Sequence, residues 1–90
     1  MAHIGKHRNK LLGRVRRIAG QVAALEKALE SDADCGDVLV QIAAARGAMH
    51  GLMMEVLSGH LLEHVAAPAD EAERAAEAQA VLELLRTYVK

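Results

Sequence analysis

A helical repeat of apolar residues, almost free of proline, is the feature that most constrains the fold of this 90-residue chain. The single proline, Pro68, lies late in the sequence. Before it, apolar residues recur three and four positions apart, which is the spacing of one face of an α-helix. The first such stripe comprises Leu11, Val15, Ile18, Val22, Leu25 and Leu29. This stripe predicts a first helix over residues 6–30.

Two neighbouring apolar stripes predict a second, central helix over residues 36–64. One stripe comprises Val38, Ile42, Ala45, Met49, Leu52 and Val56, and the other comprises Leu39, Ala43, Met53 and Leu57. A helix that is apolar on more than one side is expected at the centre of a fold. Gly47, Gly51 and Gly59 each weaken such a helix by about 1 kcal/mol relative to alanine. Their spacing favours close approach of another helix over a break.

Helix-capping residues mark the starts of the second and third helices. The linker before the central helix offers three N-cap candidates, Ser31, Asp32 and Asp34. Further along, Asp70 and Glu73 have the spacing of a capping box, with Asp70 as the N-cap. The capping box predicts a third, shorter helix over residues 70–89.

The predicted fold is therefore all-α, a three-helix protomer with a long central helix. We expect one domain over residues 1–90, with a flexible tail at residues 1–5. Trp and Phe are absent and Tyr88 is the only aromatic residue, so large core side chains are scarce. A chain of this length buries only about 60–65% of the surface that its unfolded form exposes. We therefore expect association with another copy of the chain.

The sequence contains no run of about eighteen apolar residues, so we expect no membrane span. Its first residues are basic and lack the apolar stretch of a secretory signal. The expected location is therefore the cytoplasm.

Charge is distributed unevenly along the chain. The net charge is only −1, yet none of the acidic residues falls within the first 17 positions. That segment contains Lys6, Arg8, Lys10, Arg14, Arg16 and Arg17. A basic segment on an otherwise acidic chain indicates a polyanion-binding face.

The stretch HLLEH contains His60 and His64 four positions apart, with Glu63 between them. It matches H-x-x-E-H, a pattern of one class of zinc peptidase. Such an enzyme needs a third ligand, an open coordination position and a substrate cleft. A small alanine-rich helical chain offers little room for a cleft, and Glu63 lies about 100° around the helix from His64. A small zinc hydrolase is thus an alternative that the sequence disfavours.

A regulatory metal site has more candidate ligands. They are His3, Cys35, His60 and His64, with the amino group at Ala2, Asp34 and Glu63 as accessory donors. On one continuous helix, Cys35 and His60 would lie about 37 Å apart. Two copies of that helix packed antiparallel would bring Cys35 of one copy next to His60 and His64 of the other. By twofold symmetry such a dimer would carry two sites.

The donor types restrict the metal. One thiolate with two or three imidazoles suits Co(II), Ni(II), Cu(II) or Zn(II), and suits Mg(II) or Ca(II) poorly. Cu(I) favours more sulfur than one cysteine provides. Recruitment of His3 and the amino group would raise the coordination number above four, which favours Ni(II) or Co(II).

Three stretches, RVRRIAGQV, CGDVLVQIAAARGA and GLMMEVLSGHL, resemble the CsoR/RcnR family of metal- and formaldehyde-responsive repressors. The similarity extends over residues 6–90. Sensing type in the family follows four positions, and His3, Cys35, His60 and His64 here are similar to the nickel/cobalt-sensing branch. The copper(I) sensors have a second cysteine where this chain has His64. The formaldehyde sensors have an N-terminal proline where this chain has Ala2.

The resemblance implies an antiparallel four-helix-bundle dimer that pairs into a dimer of dimers. It also implies that the metal-free homotetramer binds double-stranded operator DNA, and that metal releases the DNA and switches on an efflux gene. The residues expected at phosphates are Lys10, Arg14, Arg16, Arg17 and Arg46. A formaldehyde response through Cys35 remains the alternative within the family. On this reading the protein is not an enzyme.

Overall fold

The computed structural model describes residues 4–5 and 7–89, and its long elements are all helical. Helix α1 spans Arg8–Glu30, α2 spans Cys35–His60 and α3 spans Glu71–Tyr88. A π-helical segment, Leu61–Ala66, continues α2. No strand occurs among these residues, which confirms the predicted all-α class. Residue 6, the predicted start of the first helix, lies outside the described residues.

A tight turn joins α1 to α2. Asp32 has a left-handed backbone with φ 63°, and the N–H of Ala33 donates to the carbonyl oxygen of Ala28 at 3.0 Å. This is the six-to-one bond of a Schellman motif, and it satisfies the Ala28 carbonyl at the end of α1. The Asp34 carboxylate then accepts a hydrogen bond from the N–H of Gly36 at 3.0 Å. Asp34 is therefore the residue that caps α2, and the short connection sets α1 and α2 antiparallel.

The apolar stripe of α1 divides between two faces. Ile18 and Ala28 are buried, and the half-buried residues at helical spacing from them are Leu11, Arg14, Gln21 and Leu25. These residues form the side of α1 that packs on α2. By contrast, Val15, Val22 and Leu29 of the predicted stripe are 46%, 53% and 65% exposed. A single partner helix covers only one face, so the second face of α1 remains open in one chain.

The central helix changes its hydrogen-bonding pattern after His60. The chain is helical to residue 64, the predicted end of the central helix, but residues 61–66 form the π-helical segment. The N–H of Ala67 donates to the carbonyl oxygen of Leu62, five positions earlier, at 3.0 Å. Ala67 still has an α conformation, with φ −79° and ψ −39°, but Pro68 follows it and has no N–H to donate, so the helical hydrogen bonding ends here.

Helix α3 folds back onto this end of the molecule. Asp70 is its N-cap, as predicted, and accepts a hydrogen bond from the N–H of Ala72 at 3.2 Å, whereas a capping box would use the N–H of Glu73. The helix packs mainly against the π-helical segment, and Val81 is its buried residue. This packing sets α3 beside the last turns of α2.

The protomer is a thin layer of helices measuring 56 × 29 × 13 Å. Only Ile18, Ala28 and Val81 are buried apolar residues in the part of the chain that is described. Close helix approach at Gly47 is not seen in one chain, because a Cβ at that position would meet nothing within 4 Å. None of the helices formed by residues 4–5 and 7–89 has the length and apolarity to cross a membrane.

Candidate functional site

His60 and His64 lie side by side where α2 passes into the π-helical segment. Their ring centroids are 4.7 Å apart and the rings are inclined by 39°. Both residues are half-buried, as expected for positions that extend an apolar face. The pair can present two imidazole nitrogens from one chain to a metal ion.

Glu77 of α3 contacts His60 of this pair. Its Oε2 atom lies 3.3 Å from Nε2 of His60, and the His60 side chain is 22% exposed. A carboxylate on one ring nitrogen fixes the orientation of an imidazole and raises its basicity. Glu77 was not predicted from the sequence, because its contact joins two helices and leaves no short-range pattern. The only available signal was a carboxylate next to the predicted inner face of α3.

Cys35 and Asp34 lie far from the histidine pair, at the other end of α2, whereas Glu63 is next to His64 in the π-helical segment. Cys35 is the first residue of α2, with a free and exposed thiol, and His60 is the last residue of the same helix. Asp34 is engaged as the α2 cap, and Glu63 is half-buried in the π-helical segment. Across residues 4–5 and 7–89, no three His, Cys, Asp or Glu side chains converge on one point. The predicted donors His3 and the amino group at Ala2 lie outside the described residues.

The predicted DNA-contacting residues divide into separate groups. Lys10 and Arg14 of α1 both pair with Glu55 of α2, with Lys10 Nζ 2.8 Å from Glu55 Oε1. Arg16 and Arg17 are exposed, and in the described part of the chain no carboxylate pairs with either. Arg46 lines a groove on α2 instead of joining Lys10 and Arg14.

Glu55 is a second functional candidate that the sequence analysis missed. The hydrogen bond from Lys10 holds the pKa of Glu55 below its ordinary value, and the charges of Arg14 and His7 act in the same direction. Partial burial of the carboxylate acts to raise the pKa, but the combined effect of the basic residues is larger. Glu55 is therefore a carboxylate anion at neutral pH, placed against the basic face of α1.

An apolar groove of about 860 Å³ runs between α2 and α3. Its apolar lining comprises Met49, Leu52, Met53, Val56, Leu57, Ala80, Val81 and Leu84. His60 and Glu77 belong to the same groove. The histidine pair thus adjoins an apolar surface that one chain does not cover.

Comparison with known proteins gives concordant results. Residues 7–88 match the family described as metal-sensitive transcriptional repressor. Transcriptional repressor RcnR from Salmonella typhimurium is 46% identical over 90 residues, with both chains covered completely. A Serratia marcescens protein, described as uncharacterized and in the bioA 5′ region, is 50% identical over 91 residues, again with 100% of both chains covered.

A solved structure is also similar to this chain. It is a glutamate-to-histidine variant of the formaldehyde-responsive regulator FrmR from Salmonella enterica serovar Typhimurium. The identity is 45%, the TM-score is 0.84, and the match covers 93% of this chain and 96% of the other. Because the family consists of repressors, the zinc-hydrolase alternative for HLLEH is excluded. The chain belongs to the metal-sensitive transcriptional repressor family, the CsoR/RcnR family that its sequence resembles.

Proposed function

We propose that the protein binds operator DNA in its metal-free form and releases it when Ni(II) or Co(II) binds, which derepresses a metal efflux gene. The observation that carries this proposal is the His60–His64 pair, with ring centroids 4.7 Å apart. The Glu77 contact supports it, because a metal-binding histidine usually donates the N–H of its second ring nitrogen to an acceptor such as a carboxylate. The full-length relatives named RcnR support the same reading.

In this proposal the metal ligands are Cys35, His60 and His64, with His3 recruited from the N-terminal segment. The Ala2 amino group, Asp34 and Glu63 are accessory donors. A thiolate with several imidazoles fits Ni(II) and Co(II), and would also accept Zn(II) or Cu(II). With Glu77 on Nε2, the metal would take Nδ1 of His60.

The site requires a second copy of the chain. Cys35 and His60 stand at opposite ends of α2, which is about 37 Å long, so one chain cannot supply both donors. Antiparallel packing of two α2 helices would bring Cys35 of one protomer to the histidine pair of its partner. The uncovered apolar groove and the exposed Val15, Val22 and Leu29 provide surfaces for such a dimer and for its pairing into a homotetramer.

DNA release follows if metal binding moves the two long helices relative to each other. Arg16, Arg17, Lys10, Arg14 and Arg46 would contact phosphates in the metal-free tetramer. Because a homodimer links these residues to the metal site through α1 and α2, a shift between the helices changes their spacing along DNA. The coupling needed is typically about 1–3 kcal/mol, and DNA must weaken metal binding by the same factor. Operator DNA also implies a cytoplasmic location.

The test is fluorescence anisotropy on a labelled duplex that the metal-free protein selects from a random pool. Ni(II) or Co(II) should release the duplex from the wild-type protein. Cys35→Ala and His64→Ala should bind the duplex normally yet fail to release it. Equal metal affinity with and without DNA would contradict the proposal.

The structural similarity to FrmR supports a second candidate, a formaldehyde-responsive repressor. The exposed Cys35 thiol at the start of α2 could add to the aldehyde carbon, with its proton passing to the carbonyl oxygen. This candidate predicts that formaldehyde releases DNA, that Cys35→Ala abolishes the response, and that His64→Ala leaves it intact. The same anisotropy assay with added formaldehyde therefore separates the two candidates.

A further inference from the structure

We propose that Glu55 is a specificity-determining residue for DNA binding, because its carboxylate occupies Lys10 and Arg14 and restrains them from contacting the phosphates of non-operator DNA. The inference rests on DNA binding by the metal-free protein, which is part of the proposed function. It does not depend on which effector releases the DNA.

The geometry shows that one carboxylate engages both cations. Oε1 of Glu55 is paired with Nζ of Lys10 at 2.8 Å, and Oε2 is paired with Nε of Arg14. Lys10 and Arg14 are four positions apart, so they lie on one face of α1 and reach the same point on α2. The Glu55 side chain is 25% exposed, whereas Lys10 and Arg14 are 63% and 42% exposed. Solvent and DNA can therefore reach both cations while Glu55 holds them.

Helix α2 also leaves space for the arginine. Gly51 lies one helical turn before Glu55, and a Cβ at Gly51 would be 3.4 Å from Nη1 of Arg14. A Cβ there would touch the guanidinium group at van der Waals distance, so the arginine lies directly on this turn of α2. Gly51 thus leaves space on α2 for the Arg14 side chain, and Glu55 supplies the opposite charge.

A phosphate and the Glu55 carboxylate compete for the same donors. Arginine and lysine make charge-assisted hydrogen bonds to carboxylates and to phosphates with similar geometry. Non-specific DNA offers only scattered backbone contacts, so Lys10 and Arg14 remain paired with Glu55. The operator positions the backbone correctly against the whole tetramer and can displace Glu55. Glu55 therefore lowers the affinity for random DNA more than the affinity for operator DNA.

This competition has a measurable signature in the salt dependence. Each phosphate that a basic side chain neutralises adds about 0.9 to the slope of log affinity against log salt concentration. If Glu55 withholds two cations from random DNA, Glu55→Gln should steepen that slope by about one to two units. The slope for the selected operator duplex should change less, because both cations already contact phosphate there.

The experiment compares metal-free wild-type protein with Glu55→Gln on a random-sequence duplex and on the selected duplex, between about 50 and 200 mM salt. Glu55→Gln should bind the random duplex about threefold to tenfold more tightly and lose selectivity by a similar factor. Glu26→Gln is the matched control, because it removes the same charge from an exposed position on α1 with no ion pair in the described part of the chain. It should leave both slopes unchanged.

A double variant, Lys10→Gln with Arg14→Gln, makes the test independent of any effect of Glu55 on folding. In that background Glu55→Gln should no longer alter the affinity for random DNA. The inference would be overturned in favour of a general charge effect by either of two results. One is an equal gain in affinity for random DNA in the wild-type and double-variant backgrounds. The other is a gain no larger than that of Glu26→Gln. An unchanged random-DNA slope in Glu55→Gln would also overturn it while leaving the proposed function intact. Failure of the wild-type protein to bind any duplex would overturn both.

Discussion

Nε2 of His60 lies 3.3 Å from Oε2 of Glu77, and this contact joins the end of α2 to α3. The two residues are separated by the π-helical segment Leu61–Ala66 and by Pro68. The turn between the helices therefore aligns a carboxylate with an imidazole that the proposed metal site uses.

Glu77→Gln should weaken binding of Ni(II) or Co(II) by about 10–100-fold, the usual effect of losing a carboxylate behind a metal-binding histidine. The amide keeps the shape of the side chain but loses the negative charge that faces Nε2 of His60. Competition with a chromophoric chelator measures the affinity. Glu83→Gln is the control, because Glu83 lies on the same helix at an exposed position. Equal affinity in the two variants would contradict a role for Glu77.

Stability should depend on pH through Glu55. Its pKa is depressed in the folded protein below the ordinary value of 4.5, first by the hydrogen bond from Lys10 and then by Arg14. A depressed carboxylate pKa stabilises the fold above the unfolded pKa, and this stabilisation is lost as the pH falls through the folded pKa. Wild-type protein should therefore exceed Glu55→Gln in urea midpoint near neutral pH. The gap should close as the pH falls below 4.5. If the difference in urea midpoint did not change with pH, the stabilisation by Glu55 would come from packing and not from its charge.

Asp32→Gly should raise the free energy of unfolding by about 0.5 kcal/mol, because Asp32 has a left-handed backbone that glycine adopts without a steric penalty. Asp37→Gly provides the contrast, since Asp37 lies in the first turn of α2. Glycine there loses a little helix propensity and also the favourable charge at the helix N-terminus, together about 1 kcal/mol. Urea denaturation of both variants measures the two changes in the free energy of unfolding, which should have opposite signs. Destabilisation by Asp32→Gly would indicate that its side chain matters more than its backbone.

Met49→Lys should weaken self-association at least about tenfold, because an ammonium group buried without a partner costs several kcal/mol. Met49 is 52% exposed in one chain and lines the groove between α2 and α3. Sedimentation velocity over a concentration series measures the effect. Gln79→Lys introduces the same charge at an exposed polar position of α3 and should leave assembly unchanged. Equal association of both variants would show that the groove is not an interface.

Several elements could be predicted from sequence because their causes are local. Apolar spacing in threes and fours identifies the helices, and the side chains of Asp34 and Asp70 cap the starts that their positions suggest. The i, i+4 spacing of His60 and His64 sets their rings together, as the 4.7 Å separation shows. The motifs around Arg14, Cys35 and His60 also indicated the family. Each of these features depends on residues within a few positions of one another.

Other features were decided only by the tertiary structure. The α-helix gives way to a π-helical segment after His60, and only half of the α1 stripe faces α2. Glu55 and Glu77 were not predicted, although each contacts a residue that the sequence analysis had already selected. A surface carboxylate can pair with any nearby basic side chain, and the residues next to it in sequence do not determine which one. The choice is made when packing brings α1 and α3 against α2, because ion pairs form only between side chains that the fold has placed within a few ångströms of each other.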